Sequence, residues 1–299
     1  MSNKMKETQE AMAKAIIAAL DAGEASGKWV MPWDSCGEFP LNPITKKTYG
    51  GSFNGFWLML GSARYNDTRW AGASQWKKSG NLVKKGEKGT TIFFPRFKCA
   101  ECGVSIGFAK KCKNGHETVK AEQKQWSGWG TAAVFNNQQT QTPLEAVKVN
   151  DVDPSVGFEK AAKLVEAHGA NLAHGGDRAY YSPREDRIQL PNPGQFKNVA
   201  DYWATAMHEH AHWTGHSSRL NRDGITKFAG FGSETYAFEE LVAEIGAAFV
   251  CKHIGVEREG LFDNHVAYLA SWKKALQSDP SVISKAISQA GAVMRYLVK

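Results

Sequence analysis

Five consecutive residues, His208-Glu209-His210-Ala211-His212, match the pattern H-E-x-x-H. Histidines four apart lie one above the other on the same face of an α-helix, so the imidazoles of His208 and His212 can grip one ion. Glu209 is turned by about 100° from His208, yet its carboxylate still reaches the ion's water. Zinc would lower the pKa of that water to about 7, and the carboxylate would take its proton as the water attacks a carbonyl. A catalytic zinc usually has three protein ligands and one open position, so a third donor must lie elsewhere.

The segment near 233–254 offers it. Glu239, Glu240 and Glu244 are set among Phe238, Leu241, Val242, Ala243, Ile245 and Phe249, and a buried carboxylate needs a partner because an unpaired buried charge is costly. Glu240 and Glu244 are four apart and share a face. That assigns Glu240 as the third ligand and Glu244 as the acceptor for a ligand histidine N–H. Glu239 falls on a neighbouring face, where solvent or a capping role is expected. A competing reading pairs these carboxylates with Arg219 or Arg222. His210 points away from the other two histidines and reads as a surface or hydrogen-bonding residue. His216, beyond Gly215, reads as a loop histidine or a group on the substrate side.

A second donor set runs Cys99-x2-Cys102-x9-Cys112-x3-His116, with Gly103 and Gly115 at its two turns. In an intracellular protein this spacing indicates a structural Cys3His zinc site rather than disulfides. The alternative is a surface hairpin with reduced thiols. Cys36 and Cys251 stand outside the set, Cys251 expected to be buried on its helix.

These donors need elements to hold them. Ala200, Trp203, Ala204, Met207 and Ala211 give a helix over about 198–215 an apolar face, with Asn198 and Gly215 as its start and stop. Ser233 and Gly255 bracket the carboxylate-bearing helix, and further helices are expected near 262–278 and 280–298. A helix over 157–168 and two strands, 179–182 and 187–190, precede them. In the first half, Met5, Met12, Ile16, Ile17 and Leu20 mark an amphipathic helix stopped by Gly23. Short helices follow at 53–64 and 73–79, with strands at 81–83, 90–96 and 130–136, and the cysteine-bearing stretch 97–118 reads as an insertion. The polar stretch 137–156, with Pro143 and Pro154, reads as a linker. The expected class is α+β: a small basic α+β domain over 1–140, then a mostly helical domain with a short strand pair over 157–299.

Charge divides the same way. Residues 1–150 hold 21 Lys and Arg against 12 Asp and Glu, a net of +9, while 151–299 hold 16 against 18, a net of −2; together they give the chain's +7. Seven of the ten tryptophans also lie in the first half. A basic surface attracts polyanions by counterion release, and aromatic rings stack on bases, which points to nucleic acid; the alternative is a basic domain with its tryptophans in the core. No apolar run approaches the roughly 18–20 residues of a membrane span, and residues 1–10 have no apolar signal core. A cytoplasmic protein with no membrane partner is expected.

Several ordered motifs together resemble the ArdC-type antirestriction proteins of conjugative plasmids and phages. In the first half they are Trp29-x-x-Pro32-Trp33, Pro40-x-Asn42-x-x-Thr45, Tyr49-x-Gly51-x-x-Asn54, Trp70-x4-Gln75-Trp76, Val83 through Gly89, and Val134-Phe135-Asn136-x-Gln138-Gln139. In the second half they are Tyr180 through Asp186-x-Ile188-x-Leu190-Pro191, His208 through His216, Arg219-Leu220-x-Arg222, and Tyr236-x-x-Glu239-Glu240-Leu241-Val242-Ala243-Glu244. The spacing Glu240-x-x-Ala243-Glu244 is also similar to the ligand helix of ImmA/IrrE-type metallopeptidases. The resemblance implies an N-terminal domain that binds single-stranded DNA and a C-terminal zincin-like metallopeptidase domain, with a host protein as candidate substrate. It further implies a role in shielding incoming DNA from host restriction. On that basis Arg69, Lys77, Lys78, Lys84, Lys85 and Lys88 are expected on phosphates, and Trp70, Trp76 and Phe93 against bases. The segment near 99–116 is extra relative to the family pattern, so the resemblance does not place the DNA groove around it. Two other readings use the same residues: a DNA-coating protein whose zinc domain is structural or vestigial, and a stand-alone cytosolic metallopeptidase. The intact Glu209 argues against the first and the charge asymmetry against the second.

Overall fold

The computed structural model describes residues 3–26, 39–106, 111–145, 153–227, 233–256 and 266–299. Helices and largely antiparallel strands occupy separate stretches of chain, so the class is α+β, as expected. Packing produces two compact units: Trp70–Pro143, and Asn3–Arg69 together with Leu144–Lys299. Compactness thus follows a line other than 1–140 and 157–299, and the reason lies in α1 (Asn3–Ser26). Its apolar stripe buries Met12, Ile16 and Leu20 completely, in the same core as the C-terminal helices. A small antiparallel ladder, β1 (Leu41–Asn42) with β2 (Lys47–Thr48), leads to α2 (Phe53–Tyr65). Ser52 caps α2 by accepting from the Gly55 N–H at 3.3 Å.

The unit Trp70–Pro143 is built on β3 (Trp70–Gly72), α3 (Ala73–Lys78), β4 (Thr90–Cys99), β5 (Ser105–Ile106) and β6 (Lys124–Asn136). The sheet is antiparallel, in the order β3-β6-β4-β5. β4 and β6 form one hairpin longer than the expected strands, so the cysteine segment is its tip rather than a separate insertion. A register shift at Arg96/Phe97 leaves Ser127 as an extra residue opposite β4, a bulge in which Gly128 takes φ +110. The strand expected at 81–83 reduces to a single bridge from Val83 to Thr140. The expected linker begins inside this unit: Asn137, Gln139 and Thr140 are buried. Asn81 Nδ2 donates to Thr140 Oγ1 at 2.9 Å and to the Thr142 carbonyl at 2.6 Å. The polar residues there satisfy one another instead of facing water.

The rest of the larger unit opens with α4 (Pro154–His168), capped by Asp153. β7 (Asn171–His174), β8 (Tyr180–Ser182) and β9 (Arg187–Leu190) follow. β8 and β9 are the expected antiparallel pair; β7, not expected, adds parallel to β9. Then come α5 (Val199–Trp213), α6 (Asp223–Thr226), α7 (Glu234–Ile254), α8 (Val266–Ser278) and α9 (Val282–Leu297). α7 is the central helix, packed by α4, α5, α6, α8 and α9. Phe249 on α7 meets Phe56 of α2 at 6.4 Å between ring centroids and Phe39 at 5.8 Å. Cys251 is buried, as expected, while Cys36 lies outside the described residues. No helix among the described residues is long and apolar enough to cross a membrane.

Candidate metal centre

α5 starts where Asn198 accepts from the Asp201 N–H at 2.8 Å, and it buries every residue from Ala204 to Trp213. Within that buried stretch His208 and His212 turn one face toward α7. Their Nε2 atoms lie 3.1 Å apart, and Glu240 brings Oε2 to 3.5 Å from His208 Nε2 and Oε1 to 3.4 Å from His212 Nε2. Donors 2.0–2.1 Å from a tetrahedral ion stand about 3.3 Å from one another. The three separations fit that figure, so the site suits a small divalent cation held by two imidazoles and one carboxylate.

The outer nitrogens are equally fixed. His208 Nδ1 is 3.2 Å from Glu244 Oε1, and His212 Nδ1 donates to Glu239 Oε1 at 3.2 Å. Each ligand histidine therefore has a carboxylate behind it that orients the ring and raises its basicity. Glu239 corrects the sequence expectation. It is neither solvated nor capping but 1% exposed, and it is held by Arg222, whose Nη2 donates to Oε1 at 2.6 Å and Nε to Oε2 at 2.9 Å. Arg222 is itself anchored on the Ala211 carbonyl at 2.6 Å and on Thr214 Oγ1 at 2.7 Å. Gly224 is required here, since a Cβ would lie 2.4 Å from that of Glu239. The competing Arg222 pairing thus holds for Glu239, while Glu240 faces the histidines. The missed signal was the need of two ligand histidines for two acceptors, which Glu239 and Glu244 flank Glu240 to supply.

Four buried carboxylates, Glu209, Glu239, Glu240 and Glu244, share this region with Arg222. Burial opposes the charged imidazoles, yet Glu244 and Glu240 raise the pKa of His208 well above its ordinary range, and Glu240 with Glu239 raises that of His212 to about 9. Burial likewise opposes the ionised Glu240, and the two histidines overcome it, holding its pKa far below the usual carboxylate value. The site is built for added positive charge, whether protons or a cation. His210 sits apart from it, fully buried rather than at the surface, with Nδ1 donating to the Ala206 carbonyl at 2.7 Å; burial lowers its pKa to about 4. His216 is half-buried, its Nδ1 2.8 Å from Ser218 Oγ.

A second cluster gathers at the hairpin tip. Cys99, Cys102, Cys112 and His116 bring their donor atoms within 4.8 Å of one another. Cys102 and Cys112 have Sγ atoms 3.7 Å apart, and Cys99 Sγ is 3.6 Å from His116 Nδ1. Tetrahedral zinc with bonds of 2.3 Å to sulfur and 2.0 Å to nitrogen sets such pairs about 3.5–3.8 Å apart. A hydrogen bond from the Cys102 backbone is the first of several that lower the Cys99 thiol pKa, which favours the thiolate that a metal needs.

The residues expected on DNA divide. Lys77, Lys78, Lys84, Lys85 and Lys88 are exposed. Arg69 is 7% exposed and pinned by Asp67, with Nη2 to Oδ2 at 2.6 Å and Nε to Oδ1 at 2.9 Å. Trp70 and Trp76 are fully buried and Phe93 is 4% exposed; Trp76 spends its indole N–H on the Phe135 carbonyl at 3.0 Å. These four are structural and cannot reach phosphates or bases. Sequence spacing carried no signal of their burial.

Comparison with known proteins agrees with this geometry. Residues 6–143 match the family model of the N-terminal domain of anti-restriction factor ArdC, and residues 159–289 match that of a zincin-like metallopeptidase. Two proteins of Escherichia coli called DNA primase TraC are each 37% identical over 100% and 98% of this chain, which spans only 28% and 20% of their lengths. Protein y4eC of Sinorhizobium fredii is 30% identical over 96% of this chain and 90% of its own. Crystal structures of the antirestriction protein ArdC from plasmid R388, metal-free and Mn(II)-bound, superpose with a TM-score of 0.70 at 29% and 30% identity. They cover 97% of this chain and 96% of theirs. With its relatives matched across both halves and its donors in place, the chain belongs to the ArdC-type antirestriction family and carries a zincin-like domain.

Proposed function

We propose that this chain binds single-stranded DNA through its basic unit and carries a zinc peptidase-type site, so that incoming plasmid or phage DNA in the cytoplasm is shielded from restriction. The observation that carries the second part is the tetrahedral spacing of His208, His212 and Glu240 beside the buried Glu209. Zinc, when bound there, supplies a Lewis acid and a water of lowered pKa. The remaining work falls to the chain. Glu239 and Glu244 hold the two imidazoles with Nε2 inward. The Glu209 carboxylate accepts a proton and returns it to the departing amine of a peptide substrate, for which a host protein is the candidate. At the hairpin tip, a second zinc on Cys99, Cys102, Cys112 and His116 serves structure only. On the DNA side, Lys77, Lys78, Lys84, Lys85 and Lys88 neutralise phosphates without reading sequence.

Metal content, hydrolysis and oligonucleotide binding of the full chain test this reading. The protein should carry about two zinc ions, Cys99→Ser one, and Glu209→Gln two with peptidase activity gone. Affinity for an oligo(dT) strand should drop steeply between 50 and 200 mM salt. Metal lost in Glu209→Gln, or binding indifferent to salt, would refute the assigned roles.

A further inference from the structure

The tryptophans selected from sequence are buried, but two others are not. Trp126 is 61% exposed and Trp129 50%, and they are the only exposed tryptophans among the described residues. In a regular strand, residues three apart point to opposite faces. Here the bulge changes the count: Trp126 pairs with Phe97 and Trp129 with Pro95, with Ser127 skipped. Phe97 and Pro95 are two apart and share a face, so both indoles stand on that face. Gly128 at φ +110 supplies the left-handed backbone at this point, which a residue with a Cβ resists. The two anchor points are separated by two strand steps, about 7 Å, or about twice the 3.4 Å rise of stacked nucleotides. A base can therefore lie against each indole or between the two.

Charge selects the occupant of this face. Residues 70–143 hold twelve lysines and arginines against four glutamates and no aspartate, a net of +8. Lys124, paired with Cys99 two steps along from Phe97, lies on the same face. Arg96 and Lys98 on the opposite face and Lys113 at the tip are exposed and add to the field of the hairpin. Exposed π-faces within a positive field suit a polyanion whose bases are unstacked, whereas an apolar protein face would gain nothing from the field.

We propose that Trp126 and Trp129 form a base-stacking platform for unpaired nucleotides, aligned by the bulge at Ser127 and Gly128. The idea rests on the DNA-binding reading above. The test uses the full, metal-loaded chain, a labelled oligo(dT) strand, its duplex with oligo(dA), and a salt series. Trp126→Ala and Trp129→Ala should each weaken single-strand binding about 5- to 100-fold with the salt slope unchanged, and should leave weak duplex binding alone. Trp126→Phe and Trp129→Phe, which keep a ring, should recover most of the affinity and so exclude a folding defect. Lys124→Gln should do the reverse, lowering the salt slope with a smaller loss of affinity. Undiminished oligo(dT) binding in the double alanine variant would overturn the platform while DNA binding itself stands. A parent protein that binds no oligonucleotide would overturn both. A dimer broken by the double variant, with oligonucleotide affinity intact, would make this face a self-interface and end the proposal.

Discussion

The two donor clusters are assembled in opposite ways. Cys99, Cys102, Cys112 and His116 lie within eighteen consecutive residues at one hairpin tip, where the three thiols share a small apolar cluster with Phe97 and Ile106. His208, His212 and Glu240 come from two helices in the middle of the larger core and stand in front of a prepared row of partners: Glu239, Glu244 and Arg222. Where little core exists, metal binding and local folding become the same event. Where ion pairs and packing already fix the donors, a cation joins a site that stands without it. That contrast is what supports proposing a structural role for the hairpin cluster and a chemical one for the helical site.

The largest contrast should appear on chelation. Amide exchange at 99–124 should rise to nearly open-chain rates once metal is stripped, while α5 and α7 keep most of their protection. Equal loss in both places would erase the distinction. Next in size, Arg222→Met leaves Glu239 charged and buried without its guanidinium, which should cost about 3–5 kcal/mol in urea unfolding. A cost under about 1 kcal/mol would mean that Glu239 is held by His212 alone. Smaller again, Glu239→Gln should lower metal affinity at the helical site about 10- to 100-fold without touching the cysteine cluster, as a competition titration would read.

The last contrast concerns pH. His212, with its pKa raised to about 9, and His208, raised well above its ordinary range, carry protons in the metal-free site at neutrality. Metal must displace them, so affinity should fall about tenfold per pH unit for each proton displaced as pH drops from 9. The metal-free protein should move the other way. Stability from these raised groups is complete below the unfolded histidine pKa of about 6.5 and is lost as pH rises through their raised values, about 9 for His212. Unfolding curves of the metal-free and loaded forms at pH 6 and 9 would show whether the two trends oppose.

How much of this was legible depends on how local each determinant is. The helical period alone put His208 and His212 on one face, and an acid on an apolar helix singled out Glu240. The cysteine spacing likewise named a cluster that forms from two turns at one hairpin tip. Glu239 escaped because its partner Arg222 lies seventeen residues away, across a turn whose geometry depends on Gly224. The tryptophans escaped because spacing does not report exposure. Trp70 and Trp76 fit a stacking pattern and are core, whereas Trp126 and Trp129 share a face only because a bulge alters the alternation. The expected linker misled for a related reason: Asn137, Gln139 and Thr140 are polar but pay that polarity into buried hydrogen bonds.

The discontinuity of the larger unit has a consequence during synthesis. Leu20 and Phe249 belong to one core, yet roughly 230 residues separate them, which a ribosome adding about 5–20 residues per second takes about 10–45 s to deliver. Throughout that interval the sheet of Trp70–Pro143 can complete itself, because all of its strands emerge together. The apolar stripe of α1 must wait, an open surface for chaperones and for neighbouring nascent chains. Polar substitutions at Met12 or Ile16 should accordingly change how strongly the nascent chain engages chaperones, besides destabilising the finished core.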